Sequence, residues 1–167
     1  MNLFVKGALL TAVVAMSGAT SAAAQNTDND LIDVTAVVET ALDVQGVQDL
    51  DFGPVFPGFG RTVAADAAGS GEFLISGGVG GGIDIAFTLP TVLTSGLNTM
   101  PVSFTAASGA DRASAAGLDP TAVAPRSLDG TTGNLYVFLG GTVTAAPTQV
   151  AGSYSGTVTL TATYNGL

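Results

Sequence analysis

Apolar and polar residues alternate one by one along several segments of this chain. In IDVTAVVETALDV, residues 32–44, the side chains of Ile32, Val34, Ala36 and Val38 fall on one face, with mostly acidic or hydroxylated residues on the other. A period of two residues is that of a β-strand, whose side chains point alternately to opposite faces. We therefore predict a half-buried strand over residues 32–44.

The same alternation recurs along the rest of the chain and predicts a series of short strands. Turns rich in Gly and Pro separate them, and no long segment has the period of a helix. Short links favour antiparallel pairing, because a parallel crossover needs a dozen or more residues. The pattern therefore predicts an all-β protein, a sandwich or a barrel. The further predicted strands lie within 49–52, 61–66, 72–76, 83–90, 99–106, 134–144 and 157–164.

Two segments interrupt the alternation. GGVGGG, residues 77–82, is interpreted as a flexible connection, because it has neither the Lys nor the following helix of a phosphate-binding loop. Residues 107–133 are rich in Ala, Gly, Asp and Pro, and we predict a surface loop with one helical turn near SAAGL. Asp111, Asp119 and Asp129 lie in this segment and would bind calcium if the loop gathered their carboxylates.

The first 24 residues have the composition of a signal peptide. Lys6 precedes an apolar run, GALLTAVVAM, that is too short to span a bilayer, and Ala22 and Ala24 occupy the small-residue positions of a cleavage site. We predict cleavage after Ala24 and export, with no transmembrane segment left afterwards; a retained membrane anchor is the alternative. Residues 25–31 then form a flexible polar arm, and residues 32–167 form the domain.

Composition narrows the function. The chain has no Cys and no His, and its Lys lies in the signal peptide, so nucleophilic triads, Ser-Lys pairs and the usual zinc ligands are excluded. We expect no enzyme, no cofactor and no metal site; Asp49 and Asp51 share a strand face and are interpreted as solvated. Three arginines stand against 13 acidic residues after the signal peptide, which disfavours nucleic acid as a partner. The alternating Phe and Tyr residues are interpreted as core, with a ligand groove built from them as the alternative.

Three segments carry a family resemblance. LDFGPVFPG at 50–58, LPTVLTSGLNTMPVSF at 89–104 and the closing FLGGTVT…AGSYSGTVTLTATY resemble a bacterial secreted family, domain of unknown function 4402. The resemblance extends from Asp33 to Tyr164. That family is similar in layout to spore coat U proteins and to subunits of chaperone–usher pili, and it has no established enzymatic activity. The resemblance implies a Gram-negative bacterium and an immunoglobulin-like, pilin-like antiparallel β-sandwich.

The likeness to pilus subunits also implies specific site residues. Those subunits lack their last strand, and a periplasmic chaperone, then the N-terminal arm of the next subunit, fills the groove by β-augmentation. Their final strand carries a Gly and, twelve residues later, a Tyr. Gly152 and Tyr164 have this spacing and are expected beside the groove. The candidate donor side chains are Ile32, Val34, Ala36 and Val38.

Two functions remain open at this point. If residues 32–44 are donated to a neighbour, the protein is a structural subunit of a cell-surface filament or coat. It would then self-polymerise with a periplasmic chaperone and usher, and reside in the periplasm, on the outer surface or outside the cell. If those residues form the domain's own first strand, the protein is a self-complete monomeric module that binds a glycan or a surface layer. The terminal Gly and Tyr favour the first function; the short polar arm and the absent disulfide favour the second.

Overall fold

A computed structural model describes residues 28–166 of the chain. The signal peptide predicted over residues 1–24 and the start of the predicted arm lie outside the described residues. The chain divides into two units between Ala36 and Val37. The described part of the first unit, residues 28–36, contains no strand, and its side chains are exposed.

The second unit is all-β in its described part, Val37 to Gly166. It contains ten strands and no helix. The strands are β1 (Asp43–Gln48), β2 (Gly60–Val63), β3 (Gly71–Ser76), β4 (Gly82–Thr88), β5 (Val92–Ser95), β6 (Asn98–Gly109), β7 (Ala116–Leu118), β8 (Ala124–Ser127), β9 (Asn134–Thr144) and β10 (Thr159–Tyr164).

β9 is the central strand of the larger of two antiparallel sheets. It pairs with all of β3 on one side and with Val102–Gly109 of β6 on the other. β1 extends this sheet beyond β3, and β5 extends it beyond β6. The two short strands β2 and β7 pair with stretches of β9 and β6 that would otherwise be edges. In the smaller sheet β4 lies between β10 and β8.

The inner faces of the two sheets pack against each other through alternating apolar residues. Ile75 and Val137 of the large sheet and Ile83 and Ile85 of the small sheet are fully buried in one cluster. Because residues two apart on a strand share a face, the alternation seen in the sequence is what supplies this core. The predicted fold class, an all-β antiparallel sandwich, is confirmed.

The outer face of β9 is covered by an arginine. Arg112 lies 4.5 Å from the centroid of the Phe138 ring, and its Nη2 bonds to Glu72 Oε2 at 2.5 Å. Its Nη1 donates to the carbonyl oxygen of Ala67 and to the hydroxyl of Ser70. Glu72 and Phe138 are cross-strand neighbours on β3 and β9. Arg112 therefore fastens the segment after β6 to the middle of the large sheet.

The strand predicted over residues 32–44 is wrong for most of its length. β1 begins at Asp43, and residues 28–42 form no strand. The physical reason is the length of the partner: Asp43 pairs with Ser76, the last residue of β3, and the chain then turns away through Gly77. Residues before Asp43 therefore have no backbone partner in β3, although their apolar alternation continues.

Two further sequence predictions need correction. The segment 107–133 is not a surface loop with a helical turn, because it contains the end of β6 and all of β7 and β8. β8 is an edge strand, which is where Pro125 is tolerated in a sheet. The short strand predicted at residues 49–52 is absent; the chain there is irregular and turns at Gly53 and Gly58, both with positive φ.

Substitution of Gly140 tests how closely the backbone of residues 63–65 packs against β9. A Cβ built on Gly140 would lie 2.5 Å from the backbone nitrogen of Ala65 and 2.5 Å from the carbonyl oxygen of Val63, atoms that cannot rotate away. We expect Gly140→Ala to lower the free energy of unfolding by about 1–3 kcal/mol, the usual cost of overpacking. Gly117→Ala is the matched control, because nothing lies within 4 Å of its added Cβ. Equal urea midpoints for the two variants would contradict this account.

Candidate functional site

An open groove of about 860 Å³ lies between the end of β1 and the segment that leads into β10. One wall is formed by the end of β1 and the irregular chain after it, Gln48 to Val55. The other wall is formed by residues 149–158, which lead into β10. Within the described residues, β1 pairs only with β3 and β10 only with β4, so each strand has one unpaired backbone edge.

The floor of the groove is apolar. Phe73 of β3, Leu139 of β9 and Phe104 of β6 project from three adjacent strands of the large sheet. Phe73 and Phe104 are only half-buried, although they stand on the inner face of the sandwich. Gly141, directly opposite Phe104, leaves room for that ring and for Phe52. The inner face of the large sheet is therefore left partly uncovered here.

The core is divided where the groove lies. One cluster contains Ile75, Ile83 and Leu160, with Phe73 packed against it. A second cluster contains Leu93, Met100 and Val143, with Phe52, Val55 and Tyr154 packed against it. A domain of this kind usually has one contiguous core. Phe73, at the margin of the first cluster, and several side chains of the second cluster line the groove, so the groove lies where the two clusters meet.

Hydrogen bonds hold the wall of residues 149–158 in place. The backbones of Thr94 and Ser155 exchange N–H···O bonds of 2.9 and 3.0 Å, which ties this wall to β5. The Tyr154 hydroxyl donates to the Val150 carbonyl at 2.8 Å and accepts from Gln149 Nε2 at 2.6 Å. The groove is therefore bounded by a wall with fixed geometry.

The mouth of the groove is polar. Asp49 and Asp51 are exposed, as the sequence predicted, and both line the groove beside Gln48 and Phe52. The carboxylate of Asp51 accepts a hydrogen bond of 2.7 Å from the backbone N–H of Gly53, which fixes the turn that follows. The site thus combines an apolar floor with carboxylate, amide and hydroxyl groups at the rim.

The residues predicted for strand complementation do not all lie at the groove. Gly152 lines it, and a Cβ there would lie 2.7 Å from Ser95 Oγ, so any larger residue at this position would press on the β5 side chain. Tyr164 does not line it; this tyrosine lies at the opposite end of β10, against the turn of residues 77–82. The remaining candidates, Ile32, Val34, Ala36 and Val38, are exposed and outside any strand.

The exposure of the donor candidates is nearly complete. The exposed fraction of the residue is 85% for Ile32, 89% for Val34 and 94% for Val38. We call residues 31–38 the apolar arm. The sequence predicted a strand over residues 32–44 and left open whether it belongs to the domain or is donated. It gave a groove of alternating Phe and Tyr residues only as the alternative to a core, because the meeting of Phe73, Phe104 and Tyr154 depends on pairing between distant strands.

The three aspartates considered for calcium serve separate turns. Asp111 accepts from Ser114, Asp119 from Thr121, and Asp129 from Thr131 and Thr132. These hydrogen bonds lower the pKa of each carboxyl group, because they favour the charged form. Over residues 28–166 no group of three or more acidic, His or Cys side chains is placed to hold a metal ion. In the same part of the chain no helix is long and apolar enough to cross a bilayer.

The structure thus defines an all-β sandwich with a divided core and a groove along its free edges. The chain belongs to the family described as domain of unknown function (DUF4402), whose sequence profile matches residues 42–164. The match begins one residue before β1 and ends with β10, so it covers the sandwich and excludes the apolar arm. A search of curated proteins gave no match to the sequence.

Asp129 provides a test of pH dependence. Its carboxylate accepts from two backbone N–H groups and the Thr132 hydroxyl, and these bonds depress its pKa below 3.8 in the folded protein. The stabilisation is therefore fully present above the unfolded pKa and is lost as the pH falls through the folded pKa. We expect Asp129→Asn to lower the melting temperature at pH 7 and the difference from the unsubstituted protein to narrow below about pH 4. A difference that stays constant down to pH 2 would contradict this.

Proposed function

We propose that the protein is a structural subunit of a cell-surface filament or coat, in which the apolar arm of one copy fills the groove of the next. The observation that supports this is the presence, in one chain, of a groove that divides the core and an exposed apolar segment with the period of a strand. Each feature is unfavourable alone, because it exposes apolar surface to water. The apolar arm supplies a strand that would cover the groove, and the groove supplies an apolar surface that would bury the side chains of the arm.

The free edges explain why the occupant is a strand. An added strand can pair its backbone with the free edge of β1, whose Gly46 and Gln48 line the groove, and point every second side chain at the floor of the groove. The apolar arm is eight residues long, which is about 26 Å when extended. Its inward face would carry Ile32, Val34, Ala36 and Val38, and its outward face carries Asp33 and Thr35.

The free energies involved indicate that a lasting linkage needs both the burial of the donor side chains and backbone hydrogen bonds. Full burial of the three larger donor side chains contributes roughly 1.5–3 kcal/mol each. Association of two copies costs about 4–15 kcal/mol in lost freedom and ordering. The apolar contribution is therefore of the same order as the cost, and backbone hydrogen bonds, worth about 0.5–1.5 kcal/mol each, supply the remainder of a lasting linkage.

An unfilled groove and a free apolar arm also imply a partner before assembly. Free strand edges and exposed apolar segments promote aggregation of newly exported chains. A periplasmic chaperone that lends a strand to the groove, and an usher that exchanges it, belong to this proposal, as does a location in the periplasm or on the cell surface. The proposed signal peptide supplies the route of export.

A second candidate function rests on the rim of the groove. The volume lies within the range of small-ligand sites, and Asp49, Asp51, Gln149 and Tyr154 place polar groups around an apolar floor. This composition suits a glycan bound by a monomeric secreted module. We propose no enzymatic activity for either candidate function.

The decisive variant is Val34→Asp, in surface-sheared protein run in SDS with and without boiling. The unsubstituted protein should give a ladder that collapses on boiling, because separation of subunits requires removal of a whole strand. Val34→Asp should abolish the ladder, since a charge on the inward face of the arm would be buried. Thr35→Asp adds the same charge on the outward face and should keep the ladder.

Both substituted positions are exposed in the subunit, so neither variant should alter its folding. A single band near the mature mass in every lane would overturn the filament proposal, and binding of a glycan to that monomer would favour the second candidate. Ladders of equal intensity from the two aspartate variants would show that the arm is not the donor.

A further inference from the structure

The side chain of Tyr164 ties the residues just after the apolar arm to the sandwich. Its hydroxyl donates to the carbonyl oxygen of Thr40 at 2.7 Å and accepts from the backbone N–H of Gly78 at 2.6 Å. One oxygen atom therefore joins the end of β10, the turn between β3 and β4, and the chain leading into β1. We call this arrangement the Tyr164 latch.

The glycine-rich turn makes room for the latch. A Cβ on Gly77 would lie 2.5 Å from the Tyr164 hydroxyl oxygen, and a Cβ on Gly81 would lie 2.9 Å from its ring. Any other residue at these two positions would have to displace the tyrosine. The sequence predicted only a flexible connection for this turn. In the structure, its glycines leave the space that the Tyr164 side chain occupies.

The latch lies far from the groove. Tyr164 pairs with Ile83 at one end of β10, whereas Val158, just before the other end, lines the groove. Six residues of extended chain separate them, which is about 20 Å. Thr40 is thus held at the end of the sandwich opposite the groove, and β1 runs from this end towards it, since Gly46 and Gln48 line the groove.

The chain direction at the latch bears on which groove the apolar arm can enter. To reach the groove of its own copy, the arm would have to reverse direction within the few residues before Thr40. The segment from Leu31 to Leu42 contains no Gly and no Pro, the residues that make tight reversals easy. Entry into the groove of a second copy needs no reversal.

We infer that Tyr164 is a positioning residue that fixes the exit of the apolar arm at the end opposite the groove, and so directs the arm to a second copy of this chain instead of its own groove. This inference rests on the proposed function. The resulting contact joins two different surfaces of the subunit, so it is heterologous, and repetition of it builds an open chain. Tyr164 acts through the backbone of Thr40 and does not touch the donated strand.

A pair of cysteines can distinguish the two fates of the arm, because the natural chain has none. In the double variant Val34→Cys and Val158→Cys, a short thiol cross-linker joins arm to groove. Boiled, non-reducing gels then separate a covalent ladder, formed between copies, from a compact monomer, formed within one copy. In the otherwise unsubstituted protein we expect the ladder.

Adding Tyr164→Phe to this background removes both hydrogen bonds and keeps the ring. We expect the ratio of compact monomer to ladder to rise about tenfold, in line with the loss of two hydrogen bonds. Tyr136→Phe is the control, because the Tyr136 hydroxyl makes no hydrogen bond within the described residues while its ring stacks on Phe138. Three glycines inserted between Glu39 and Thr40 leave Tyr164 intact and should produce the same shift by allowing a reversal.

The outcomes separate the inference from the function on which it rests. A ladder whose ratio to monomer is unchanged by Tyr164→Phe and by the glycine insertion overturns the latch and leaves strand exchange standing. Neither ladder nor compact product in the starting double variant overturns the proposed function, and the role of the latch with it. Thermal unfolding of each variant identifies loss of the fold, and the glycine insertion then decides the case if Tyr164→Phe is unfolded.

Discussion

Backbone pairing along β9 is the interaction on which the rest of this structure depends. β9 pairs with β3 and β6 over most of its length, and every other strand of the large sheet is attached through these three. Its register places Leu139 between Gly71 and Ala106, and Gly141 opposite Phe104. A shift of one residue would turn the inner face outward. The same register therefore builds the core and leaves its uncovered part, the floor of the groove.

The groove follows from how the sandwich closes. At one end the edge strands β1 and β10 are drawn together, with Leu42, Val44 and Ala162 packed on the first cluster and Tyr164 bonded to Thr40. At the other end the walls separate, and two clusters stand where one core would be expected. The family match to residues 42–164 spans this sandwich and its groove. The apolar arm, which fills the groove of a second copy in the proposed filament, lies ahead of the match.

The sequence was a good guide wherever strand pattern and burial coincide. NLYVFLGGTVT predicts β9 with the bounds it has, and EFLIS and IDIAFTLP locate β3 and β4 closely. Prediction failed where a partner is missing: residues 32–42 alternate well but have nothing to pair with, because β3 ends at Ser76. It also failed at β7 and β8, because the alternation in these strands is weak and they form by pairing with β6 and β4. Of the groove residues, the sequence indicated Gly152 through the family resemblance, and the alternating Phe and Tyr residues only as an alternative to core. Their meeting depends on long-range pairing, which the sequence pattern does not give.

The internal contacts of the arginines affect the charge that one copy of the protein presents to another. Arg112 is engaged with Glu72 and Phe138, and Arg126 donates to Ser108 and to the carbonyl of Pro125. Two of the three arginines in the described chain are thus committed internally, while ten of its 13 acidic residues are exposed. If the proposed filaments form, neighbouring copies in different filaments repel one another over any broad side-to-side contact, with a range of about 8–10 Å at ordinary ionic strength. Bundling of such filaments would be governed by dissolved cations, and thin separate filaments would be the form favoured in dilute salt.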